Sequence, residues 1–231
     1  TVTNAGLVTT DFNLTISGKL GMAKVTDNAT TYTAITMGDV DVTTNAVSGD
    51  FGLDGQLTID SLDINKVSAG DRLDWTTAFD FDGDGQHDLL NPGADLPTPA
   101  DLTINLTGDL QHRVTGSVTG TGQVGAPGEG SNNPADNALI TIDDLQITGS
   151  AEFAVSKWDV DIDNDPNTNE TLNSYALTVT NAGLVTTDFN LTISGELGMA
   201  KVTDNATTYT AITMGDVDVT TNAVSGDFGL D

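Results

Sequence analysis

Residues 57–64 read Leu57-Thr58-Ile59-Asp60-Ser61-Leu62-Asp63-Ile64. Apolar and polar side chains take turns along this stretch, as they do in a strand with one face buried and the other wet. The pattern returns in Leu14-Thr15-Ile16, Tyr32-Thr33-Ala34-Ile35-Thr36-Met37, Val114-Thr115-Gly116-Ser117-Val118, residues 138–147 and residues 175–179. Turn clusters separate these runs, among them Thr26-Asp27-Asn28-Ala29, Asp54-Gly55 and Asn91-Pro92-Gly93. Residues 120–134 are rich in Gly, Pro and Asn and read as a long loop. Threonine occurs 37 times and glycine 25 times, a bias toward strands and turns over helices. The expected class is all-β.

The strongest signal is an internal repeat. Residues 1–54 recur as residues 178–231, and only one pair differs, Lys19 against Glu196. Copies this alike, 177 residues apart, point to a tandem array in which length is the product. A fainter symmetry lies within the period. Residues 57–64 resemble residues 139–147, with Thr58 matched to Thr141, and the same offset matches Trp75 with Trp158. Two halves of about 85–90 residues fit immunoglobulin-like β-sandwich modules of roughly seven strands. The expected division is therefore a half-repeat over 1–91, a second over 92–177, and the start of a further repeat over 178–231. The last piece is short for a sandwich, so a folding unit that straddles the boundary is the other possibility.

Acidic residues number 34 against 7 basic ones, a formal charge of -27. Thirty of the acids are Asp and four are Glu. Asp is the acid of turns and hard-cation sites, whereas charge used for solubility draws on either. A surface this negative disfavours nucleic acid and anionic lipid as partners and favours cations. The chain has no Cys, which excludes disulfides, zinc-thiolate sites and thiol chemistry. No apolar run is long enough to span a membrane. The sequence begins in mid-pattern, as a fragment would.

Residues 80–88 read Asp80-Phe81-Asp82-Gly83-Asp84-Gly85-Gln86-His87-Asp88. Carboxylates at loop positions 1, 3 and 5, followed by Gly, converge on a Ca²⁺ ion that takes six to eight oxygens. Asp80, Asp82 and Asp84 fill those positions, the Gln86 carbonyl the seventh, and Asp88 the ninth, directly or through water. Asn91 stands where a bidentate Glu is usual, so that ligand must come from elsewhere. A second cluster runs from Trp158 to Glu170. Counted from Asp159, the ligand positions are Asp159, Asp161, Asp163, Asp165, Asn167 and Glu170, with Asn164 at the turn; counting from Asp161 works as well. Mg²⁺ demands stricter octahedral geometry and suits these loops less. Asp27, Asp54, Asp71, Asp74, Asp95, Asp101, Asp136 and Asp144 lie beside turns and are weaker candidates, each more readily explained as a turn former.

An enzyme is a poor fit. The only histidines are His87, inside the first acidic loop, and His112, beside Arg113 on a strand. A Ser-His-Asp arrangement would rest on a single free imidazole.

Tandem copies, absent Cys, extreme Asp content and Asp-x-Asp-x-Asp clusters together resemble the extender region of giant calcium-dependent bacterial adhesins of the repeats-in-toxin class. The glycine-aspartate nonapeptides that name the class are absent from this stretch. The resemblance implies type I export, outer-membrane anchoring of an extracellular parent protein, and monomeric repeats that stiffen when external Ca²⁺ fills their sites, with neighbouring repeats as partners. The competing expectation is an adhesive module that binds glycan or ice through multivalency. Aromatic residues make up 5% of the chain, and binding hot spots favour Trp and Tyr, which favours the spacer.

Overall fold

The computed structural model describes residues 1–8, 12–48, 51–121, 138–142, 145–165, 169–185, 189–204 and 206–223. The loop expected over 120–134 falls almost wholly outside them. The described chain is all-β, with ten strands: β1 (Val2–Val8), β2 (Phe12–Asp27), β3 (Thr30–Ser48), β4 (Phe51–Val67), β5 (Leu110–Gly120), β6 (Ala138–Ile142), β7 (Leu145–Val160), β8 (Glu170–Val185), β9 (Phe189–Asp204) and β10 (Thr207–Ala223). Each stretch of alternation read from the sequence lies in one of them, and residues 138–147 divide between β6 and β7.

The strands pair antiparallel in the order β1-β2-β3-β4-β5-β7-β8-β9-β10. Strand β6 pairs with the start of β4, Phe51 to Leu53, and with β7. It therefore shares the slot that β5 occupies farther along the same neighbours. This is a single up-and-down sheet. This all-β order is consistent with a β-sandwich, though its ladders do not by themselves establish the immunoglobulin-like topology, and β8 runs without a break through the repeat boundary at residues 177 and 178.

The identical sequences make identical irregularities. Register shifts between Ser17 and Lys19 where β2 meets β3, and between Gly215 and Asp218 where β9 meets β10. At these bulges Asp39 and Asp216 take left-handed backbone, with φ of 51° and 50°. The same correspondence holds for Asn4 and Asn181, both at φ 50°. One extra residue on one strand must leave the ladder, and Asn and Asp tolerate the required φ best among residues with a side chain. Lys19 pairs with Asp39 across the first bulge at 2.5 Å, whereas the second copy sets Glu196 at that position of the ladder.

The core lies under a segment with almost no regular structure, residues 68–109. Trp75, Ile104, Leu106 and Leu110 are buried there against Ala34 of β3. Ala23, Val25, Tyr32, Leu73, Phe79, Leu90 and Trp158 pack around them. The cap is pinned by backbone bonds Trp75 N to Leu106 O at 2.9 Å and Ile104 N to Leu90 O at 2.9 Å. Asn65 of β4 binds it further: its Nδ2 donates to the carbonyls of Leu73 and Thr107, both at 2.9 Å, and its Oδ1 accepts from Trp75 Nε1 at 3.1 Å. Asn65 is 3% exposed, and this is how a buried amide meets its hydrogen-bonding demand. Of the two tryptophans matched in sequence, Trp75 lies in this cluster and Trp158 packs against it.

The accessible surface of the whole chain is 14118 Å², against about 9,900 Å² for a compact chain of this mass.

Candidate metal centre

The first acidic loop belongs to the cap. Asp80 Oδ1 accepts from Gly83 N at 2.7 Å and Asp80 Oδ2 from Gly85 N at 3.0 Å. Asp82 Oδ1 accepts from Asp84 N at 3.1 Å, and Asp84 Oδ1 from Gln86 N at 2.7 Å. Asp88 Oδ2 closes the loop by accepting from Phe81 N at 2.7 Å. Gly83 and Gly85 sit at φ 76° and 82°, a conformation in which a Cβ would be strained.

Carboxylate oxygens of Asp80, Asp82 and Asp88 lie within 4.8 Å of one another. Ligands at about 2.4 Å from a shared centre stand no farther apart than that. Each carboxylate oxygen that accepts one backbone N–H keeps a lone pair for a cation. Asp84 is outside this group of three. Asn91, which occupies the twelfth position, is committed elsewhere: its Oδ1 accepts from Gly93 N at 2.9 Å and Leu102 N at 3.1 Å, fixing the turn that follows.

The second loop, between β7 and β8, repeats the scheme. Asp161 Oδ1 accepts from Asn164 N at 2.6 Å, and Asp163 Oδ1 from Asp165 N at 2.9 Å. Glu170 Oε2 accepts from Ile162 N at 3.1 Å, as Asp88 does from Phe81. Asn164 at φ 62° takes the place of Gly83. Asp161, Asp163 and Glu170 form the second group within 4.8 Å. Glu170 is 6% exposed, held by its position as the first residue of β8. Asn167 lies outside the described residues.

Asp159 is not part of that group. Its Oδ2 pairs with the Arg72 guanidinium and its Oδ1 accepts from Gln111 Nε2 at 2.6 Å. Burial lowers the Arg72 pKa, while Asp109 and Asp71 act to raise it. Of the two registers that spacing allows, from Asp159 or from Asp161, the group of Asp161, Asp163 and Glu170 matches the second. The Arg72–Asp159 pair has no local sequence signature, because its partners are 87 residues apart. It fastens the cap to the end of β7.

Of the weaker candidates, Asp74 and Asp101 are turn formers. Asp74 Oδ1 accepts from Thr76 N and Oγ1, and Asp101 Oδ1 from Thr103 N and Oγ1. Those bonds to Thr103 lower the Asp101 pKa. Asp136 and Asp144 fall outside the described residues. His112 sits on β5, in the ladder between Ile64 and Lys157.

Two acidic groups thus have the geometry to hold a metal ion. No family model, curated protein or solved structure matches the chain.

Proposed function

We propose that the chain is a calcium-rigidified spacer, an extender repeat of a large cell-surface adhesin that projects a distal binding domain. One observation carries this reading: the same kind of carboxylate loop is built twice, with matching backbone hydrogen bonds, in a chain whose first 54 residues recur with a single change. Three carboxylate oxygens leave at least three ligand positions to carbonyls, second carboxylate oxygens and water, the oxygen-only shell that Ca²⁺ prefers. A divalent ion also offsets the repulsion among acids crowded into a few residues.

The mechanism is linkage. Ca²⁺ binds the folded loops and not the unfolded chain, so binding free energy becomes stability and stiffness. The first ion would tie the cap together, and the second would tie the end of β7 to the start of β8. Outside cells, where Ca²⁺ is about millimolar, sites with dissociation constants near 10⁻⁴ M are largely filled. A glycan-binding module is less well supported, because Trp75 is fully buried and the partly buried Trp158 packs against the same core.

Two neighbouring substitutions separate ligand from strut. Asp161→Asn is expected to weaken Ca²⁺ binding at the second loop at least about tenfold, since the ligand charge is lost. Asp159→Asn is expected to leave Ca²⁺ affinity within about twofold while lowering stability by about 1–3 kcal/mol, because Arg72 loses its charged partner in a part-buried setting. Calorimetric Ca²⁺ titration and urea unfolding of both variants read the two effects. Equal affinity in both variants would count against the second site.

A further inference from the structure

Strands β3 and β10 have the same sequence over residues 30–46 and 207–223 but opposite surroundings. Strand β3 lies between β2 and β4, whereas β10 has β9 as its only neighbour among the described residues. Ala34 is fully buried and its counterpart Ala211 is exposed. Ile212, Met214, Val217 and Val219 are 63%, 72%, 55% and 61% exposed. Their twins Ile35, Met37, Val40 and Val42 are half-buried. On β3, β4 pairs from Tyr32 to Ser48, and Trp75, Ile104 and Leu106 of the cap cluster with Ala34. Both come from residues 51–109.

The opposite edge tells the same story. Among the described residues β1 pairs with β2 alone, and Val2 is 50% exposed. Its twin, the second half of β8, is paired on its other side by β7, with Val179 opposite Ala151 and half-buried.

We propose that the free edge and open face of β10 are the docking surface for the next repeat of the same array. The occupant is a further copy of residues 51–109, which pairs and caps as it does on β3. The free edge of β1 takes the β7 of the preceding repeat in the same way. Successive repeats then share one uninterrupted sheet with no linker between them. An exposed edge invites pairing with another strand, and this molecule already contains the complementary one in the correct register. Each period adds the positions of β2, β3, β4, β5, β7 and β8. At about 4.8 Å between strands, one repeat lengthens the array by about 29 Å. The inference goes beyond the calcium reading and stands whether or not the loops hold a cation.

The chain has no Cys, so one introduced thiol is a unique probe. Ala211→Cys and, separately, Ala34→Cys are placed in the 231-residue chain and in a chain lengthened by residues 55–177 after Asp231. In the original chain Ala211→Cys should react quickly with a maleimide. In the lengthened chain its rate should fall at least about tenfold, to that of Ala34→Cys, as local opening becomes limiting. An unchanged rate in the lengthened chain overturns the proposal. So does protection in the original chain that grows with protein concentration, which assigns the face to a second copy. Small-angle scattering of the two unsubstituted chains gives a reading that no substitution can disturb: residues 55–177 add the positions of β4, β5, β7 and the first half of β8, so elongation by about 19 Å upholds shared-sheet growth, and a flexible tail or a separate jointed module refutes it.

Discussion

Chelator-treated protein is expected to melt about 10–20 °C below the same protein in about 10 mM Ca²⁺. The size follows from two sites. An ion present at about 100 times its dissociation constant stabilises the folded state by about 2.7 kcal/mol, so two independent sites contribute about 5 kcal/mol. In a chain of this length each kcal/mol moves the melting temperature by about 2–4 °C. Asp80→Asn and Asp161→Asn should each remove about half of the calcium-dependent shift, because the two groups of carboxylates share no residue. The direction agrees with the charge of the chain: a net of -27 strains the compact state until cations reduce it. An equal rise produced by sodium chloride at matched ionic strength would reduce the effect to screening.

Trp75→Ala should be the most damaging single substitution in the cap, at about 3–5 kcal/mol. Trp75 is fully buried in the cluster that joins residues 68–109 to the sheet. Its loss also leaves Asn65 Oδ1 without the indole donor, in a residue that is 3% exposed. Trp75→Phe keeps most of the apolar contact and loses the N–H, so its effect should be smaller, about 1–3 kcal/mol. The consequence for the metal loops is unequal. Phe79 stacks against Phe81 in the first loop and touches Trp75, so loosening the indole should weaken the first site. The second loop is seated on β7 and β8 and should retain its affinity. Urea midpoints and Ca²⁺ titrations of both variants provide the measurement.

The strands were legible because alternation is a local property. In residues 57–64 the apolar positions change phase between Ile59 and Leu62, and the ladder with β5 shifts register between Ile59 and Ser61. In the related stretch 139–147 the same change of phase falls between β6 and β7, so similar sequences give a bulge in one place and a strand boundary in the other. The cap was not legible. Leu102-Thr103-Ile104 reads like Leu14-Thr15-Ile16, yet Leu102 and Ile104 are buried in the irregular cap while residues 14–16 lie within β2. Whether a short apolar run joins a sheet or covers one depends on distant partners, here Ala34 and Leu90.

Which strands share a sheet was equally hidden. The offset that matches Trp75 with Trp158 did not reveal that the second indole packs against the cluster holding the first. At the site, the spacing of Asp80, Asp82 and Asp88 was informative because a tight loop brings its own carboxylates together. Spacing left the register open at Asp159, whose ion-pair partner, Arg72, lies far away in sequence. Asp84 fits the pattern by position, yet its carboxylate is outside the group of three.

Calorimetric titration of Ca²⁺ into the chelator-treated 231-residue chain tests the central claim most directly. The account predicts at least two ions bound, one at each carboxylate group, with one lost in Asp80→Asn and the other in Asp161→Asn. A chain that binds no Ca²⁺, or that keeps its full complement in both variants, would contradict it.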